Sequence, residues 1–181
     1  MNETESLKRS LKDGDVPAAR PAGRGPVDLA SAHAAFERAA GGQRETFGDF
    51  FLARLFGFEV AHSEDVCEVT FAIHDFLFNP QGTLHGGVLA TALDVAMGHL
   101  LHRLAGAGAT LDFNVQFVAS VRQGSVICRS EVLRRGRSIW FLRAEARNSA
   151  GELIAHATST WKLLSTTVAG AHRKDEATNA G

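Results

Sequence analysis

The sequence has no tyrosine, only two cysteines, no excess of either charge and no uninterrupted apolar run of about 18 residues. Without such a run, a membrane-spanning helix is not expected. With 19 Lys and Arg against 20 Asp and Glu, the chain lacks the global basic field that draws a protein to nucleic acid. Nor is it acidic enough to read as a solvated, disordered chain. Cys67 and Cys128 both stand in alternating apolar runs, which suits buried reduced thiols and a reducing cytoplasm better than a disulfide framework or a metal cluster. The first residues contain no apolar core of a secretory signal. At 181 residues the chain can build one substantial core, so one domain and one site are expected.

What is present divides into three parts. Residues 1–42 read as a flexible leader with a short helix at 29–40, which follows the capping-competent Asp28 and stops at Gly41-Gly42. Residues 43–164 carry the patterned domain, and 165–181 read as a flexible tail. Inside the domain, phenylalanines at three- and four-residue steps predict an amphipathic helix over 46–58, and alternation predicts a strand over 66–73. Val88, Leu89, Ala92, Leu93, Ala96, Met97, Leu100 and Leu101 predict one long helix over 85–104. The period then switches to two over 111–118, 125–135, 138–148 and 152–164, the last three joined by short turns as an antiparallel meander. Helix, strand, long helix and meander describe an α+β domain whose sheet covers the long helix.

The stretch NPQGTLHGGVLATALD, residues 79–94, concentrates the unusual chemistry. Asn79 to Gly82 has turn-forming residues throughout. His85-Gly86-Gly87 then falls on the first turn of the helix, where backbone N–H groups lack intrahelical partners. Two glycines there fit either close approach of a ligand oxygen to bare backbone or tight packing of the helix end. Asp94 sits two turns further on, flanked by Ala90, Thr91 and Gly98; it is either a solvent-facing side chain or a carboxylate in a partly desolvated pocket. His99 and His102 lie three residues apart without an identifiable third metal ligand, so no metal site is assigned, and they read as structural or surface histidines. Trp140 and Trp161 belong to alternating strands and read as core or interface.

This stretch, with LFGFEV before it and TLDFNVQFV, GRSIWF and GELIAHATS after it, resembles the hotdog-fold acyl-CoA thioesterases of the PaaI type over roughly residues 47 to 164. The resemblance implies a long helix wrapped by a curved antiparallel sheet, in a homodimer or homotetramer whose active sites lie across an interface. It implies that the Gly86 N–H polarises the thioester carbonyl and that Asp94 of the partner protomer acts as base or nucleophile. Asn79 and Thr110 would orient the reacting group or water, and His85 would shape the loop and contact the thioester. Acyl-CoA would be the substrate, with no separate cofactor, and Arg134, Arg135 and Arg137 are candidate contacts for the CoA phosphates. Phe76, Phe78, Leu84, Phe113 and Phe117 are candidates to line an acyl tunnel. Twelve phenylalanines suit an apolar acyl chain or ring, though a packed core accounts for them as well. A non-catalytic acyl-CoA sensor and a hydratase or dehydratase on the same fold are the alternative readings.

Overall fold

The computed structural model describes residues 26–42, 46–47 and 49–164. Helix α1 (Leu29–Ala40) begins where the Asp28 carboxylate accepts from the N–H groups of Ala30 and Ser31. It is tied to the rest of the fold. The Asp28 N–H donates to Asp75, Arg54 donates to the Ala39 carbonyl, and Phe36 meets Phe51 edge-on.

Helix α2 runs only from Phe51 to Phe56, shorter than the helix expected over 46–58. Thr46 and Asp49 exchange backbone hydrogen bonds in a local turn, which takes the preceding segment out of the helix. Phe50 is extended, and Gly57 adopts a left-handed conformation with φ of 70°, closing the helix with its own N–H.

Strand β1 (Glu59–Ser63) pairs antiparallel with β2 (Val66–Ala72) in a hairpin whose first strand the alternation pattern did not reveal. Helix α3 (Gly86–Ala105) is followed by β3 (Gly108–Phe117), β4 (Ser125–Arg135), β5 (Ile139–Asn148) and β6 (Leu153–Leu163). The six strands form one antiparallel sheet in the order β1-β2-β4-β5-β6-β3.

The inner face of the sheet packs on α3. Cys67, Val69 and Phe71 of β2, Val126 and Cys128 of β4, and Leu142 of β5 meet Leu93, Met97, Leu100 and Leu101 of the helix in one buried core. Ala144, Ala146, Ala155 and Ala157 make a shallow bed that lets the helix approach closely. The fully buried Ser130 hydroxyl donates to the carbonyls of Ala96, at 2.8 Å, and Cys67, at 3.2 Å, pinning the middle of the helix to β2 and β4. Both thiols are buried and reduced; burial pushes Cys67 up to about 12, and Cys128 is shifted in the same direction.

Strand β3 forms one edge of the sheet and, among the described residues, pairs only with β6. A register shift between Thr110 and Asp112 leaves Leu111 out of the pairing and exposed, and Phe117 and Val118 are exposed at the far end of this edge. Long, apolar sheet edges of this kind are templates for further pairing.

Candidate active site

The turn before α3 is built by Asn79. Its side-chain oxygen accepts from the N–H groups of Gln81 and Thr83, its amide donates to the Thr83 hydroxyl at 2.8 Å, and its backbone N–H donates to the Thr83 carbonyl. Asn79 therefore holds the approach to the helix in a defined shape. His85 is the N-cap of α3, with Nδ1 accepting from the Gly87 N–H at 2.8 Å, an arrangement that places the proton of the neutral ring on Nε2.

The two glycines have different reasons. A Cβ on Gly87 would come within 3.0 Å of the His85 ring nitrogen, so the imidazole cap requires a bare residue there. A Cβ on Gly86 would lie 3.1 Å from the Phe117 ring. Close packing thus accounts for both glycines. The Gly86 N–H itself finds no acceptor among the described residues, in keeping with its place on the first turn of a helix. It borders a cavity of about 380 Å³ with Asn79, Thr83, Leu84, Phe117 and Ser120.

Asp94 lies elsewhere. It lines a separate cavity of about 480 Å³ with Phe47, Phe50, Val95, His99, Thr110 and Trp161. The Thr110 hydroxyl donates to its Oδ1 at 3.1 Å. Burial raises the Asp94 carboxyl above the usual aspartate value, and the Thr110 bond draws it part of the way back. A partly desolvated carboxylate with a single hydroxyl partner is poised to take a proton. Gly98 makes room for this arrangement, because a Cβ there would meet the Trp161 ring at 3.0 Å.

The structure therefore brings Asp94 to Thr110, and Asn79, His85 and Gly86 together, but it does not join the two groups. Gly86 and Asp94 are eight residues apart on α3, about 12 Å along the axis, and face different cavities. Of the tunnel candidates, Leu84 and Phe117 line the Gly86 cavity, whereas Phe76, Phe78 and Phe113 line neither. Phe47, Phe50, His99 and Trp161, which surround Asp94, were not singled out as lining residues. Gly98, one turn beyond Asp94, was the sequence signal that a bulky ring sits there.

Around the β4–β5 turn, Arg134, Arg135 and Arg137 are all exposed; Arg135 also pairs with Asp65 at 2.8 Å and lies over the Trp140 ring. The register aligns Arg135, Trp140, Trp161 and Thr110 in a row across four strands, so this turn stands at the Asp94 end of the sheet. Among the described residues, no three His, Cys, Asp or Glu side chains cluster as a metal site. No helix among them is long and apolar enough to cross a membrane.

Residues 81–155 match the sequence profile of the Thioesterase superfamily. The fold is the hotdog fold, one long helix wrapped by a curved antiparallel sheet. Over 116 residues it is 28% identical to human acyl-coenzyme A thioesterase 13, spanning 62% of this chain and 81% of that one. It is 34% identical over 100 residues to a medium/long-chain acyl-CoA thioesterase of Salmonella typhimurium, covering 46% of this chain and 64% of that protein's length. A Bacillus halodurans protein solved with CoA superposes with a TM-score of 0.65 at 25% identity, over 75% of this chain and 90% of that one. The hotdog domain is thus the long helix α3 with the curved sheet around it.

Proposed function

We propose that this chain is an acyl-CoA thioesterase whose active site forms between two copies of the hotdog domain. The observation that carries the reading is the placement of the two half-sites at opposite ends of one unpaired sheet edge. Phe117, whose ring rests on Gly86, ends β3, and Thr110, bonded to Asp94, lies near its start, about 23 Å away along the strand. If β3 pairs antiparallel with β3 of a second copy about a two-fold axis, the Gly86 end of one protomer meets the Asp94 end of its partner.

At such a junction the thioester carbonyl oxygen accepts from the Gly86 N–H at the positive end of α3. Asp94 of the partner removes a proton from water, with Thr110 orienting the carboxylate. The resulting hydroxide adds to the carbonyl carbon. The oxyanion stays on the Gly86 N–H until the carbon–sulfur bond breaks, releasing the carboxylic acid and CoA thiolate, which takes up a proton. Asn79 acts by shaping the loop that presents Gly86, and His85 by capping the helix behind it. Arg134, Arg135 and Arg137 are the exposed cations for the CoA phosphates, Arg135 also pairing with Asp65.

The names of the acyl-CoA thioesterase relatives support the substrate class. Thiol release from a panel of acyl-CoAs, from acetyl to long-chain and arylacetyl, tests it directly. Turnover is expected for at least one acyl class and should fall about 10²- to 10⁴-fold in Asp94→Asn, the range a positioned general base contributes. Unchanged turnover in that variant would falsify the role given to Asp94.

A further inference from the structure

Two of the rings around Asp94 come from neither α3 nor the sheet. Phe47 and Phe50 belong to the segment before α2, whereas Val95 and Gly98 lie on α3, Thr110 on β3 and Trp161 on β6. Phe47 stacks on the ring of the exposed His102, with centroids 4.0 Å apart. Ordering a segment with so little regular structure costs conformational entropy, which other contacts must offset.

Arg54 of α2 supplies them. Its side chain is only 14% exposed; Nε donates to the Ala39 carbonyl at 2.9 Å and Nη1 to the Asp49 carboxylate at 2.8 Å. The first bond satisfies one of the last carbonyls of α1, which have no partner within that helix. The second grips the turn in which Thr46 and Asp49 exchange backbone hydrogen bonds. A Cβ on Gly42 would overlap the guanidinium, so the chain leaving α1 is bare where the head of Arg54 lies. A planar guanidinium with several fixed donors can hold two elements at once, which a single ammonium point charge does poorly.

Resting on the thioesterase reading above, we propose that Arg54 is a positioning residue that holds Phe47 and Phe50 as one wall of the acyl pocket, and so sets how strongly longer acyl chains are bound. With Asp94 as proton acceptor, the acyl carbon reacts beside it, and the rest of the chain enters the apolar space between Phe47, Phe50, Val95 and Trp161. Methylene groups covered there gain by leaving water, so the wall discriminates by chain length. Asp94 and Thr110 stand on α3 and β3 and hold each other, so freeing the turn removes the wall and leaves that pair in place.

The test uses two CoA thioethers that cannot be hydrolysed, S-ethyl-CoA and S-octyl-CoA, titrated calorimetrically into the full chain. The affinity advantage of the octyl compound is expected to fall about tenfold in Arg54→Met, the scale of two methylene groups returned to water. A purely structural role weakens both compounds alike and leaves the ratio where it was. Gly42→Ala, which keeps Arg54 but displaces its head, should lower the ratio in the same direction. Asp49→Ala, at an exposed position, takes the place of the methionine variant should that one not fold. An unchanged ratio in the folded variant overturns the proposal, as does equal affinity of the two thioethers for the wild-type protein. Thiol release from octanoyl-CoA by the wild type is followed separately. Release with an unchanged ratio removes the role of Arg54 alone; a lowered ratio without release keeps that role and removes hydrolysis.

Discussion

At the scale of single residues, Asp94 carries opposing demands. Because burial raises its carboxyl, the ionised form that the proposed reaction requires is lost at a higher pH than for an ordinary aspartate. The acid limb of kcat/KM is therefore expected above the usual carboxylate range. Thr110→Val deletes the bond that favours the ionised form, so the limb should move to still higher pH, with the greatest loss of rate at acidic pH. A limb that stays in place in this variant would separate Thr110 from the reacting carboxylate. The linkage sign for stability is the reverse. A carboxyl raised on folding contributes stability below its unfolded pKa, and that contribution is lost as pH rises through the folded value. Asp94→Asn should thus melt higher than wild type at neutral pH, with the margin shrinking in acid; an Asn variant that melts lower at neutral pH contradicts this. The sequence placed Asp94 among small residues but left its environment open, because the ring of Trp161 and the hydroxyl of Thr110 reach it from distant strands.

At the scale of elements, the start of α3 shows how a helix terminus is assembled from side chains that do not resemble the usual caps. His85 replaces the common Ser, Thr, Asp or Asn and leaves Gly87 no room for a side chain. His85→Ala is expected to cost about 1 kcal/mol of stability, the loss typical of an N-cap, seen as a lower denaturant midpoint at unchanged slope. An unchanged midpoint would mean that the imidazole contributes nothing to the cap. The long helix and the meander were legible in the sequence because Leu93, Met97 and Leu101 keep the helical period and β4 to β6 keep the two-residue period. Strand β1 was not, since its residues are mostly exposed and show no burial alternation. The extent of α2 was misread because Phe47 and Phe50 share the helical spacing of Phe51 and Phe58 but serve the wall of a cavity instead.

At the scale of the whole molecule, the separation of Gly86 from Asp94 makes the proposed site a property of two chains. Asn79→Ala and Asp94→Ala proteins, each inactive alone, should regain activity when mixed and allowed to exchange subunits. Random pairing at equal amounts gives about one quarter of the wild-type number of intact sites, all in mixed dimers. No recovery after demonstrated exchange would place both groups in one protomer's site. That Asn79, His85 and Gly86 gather at the start of α3 was legible in the sequence; that Asp94 and Thr110 line a second cavity was not, because its walls come from distant strands and from the segment before α2.

The contact between Phe117 and Gly86 has a further consequence. One ring at the sheet edge occupies the volume that any side chain at position 86 would need. The two positions are therefore coupled: alanine at 86 becomes tolerable once 117 is small, and reshaping the edge for a new partner also reshapes the helix start proposed to hold the carbonyl.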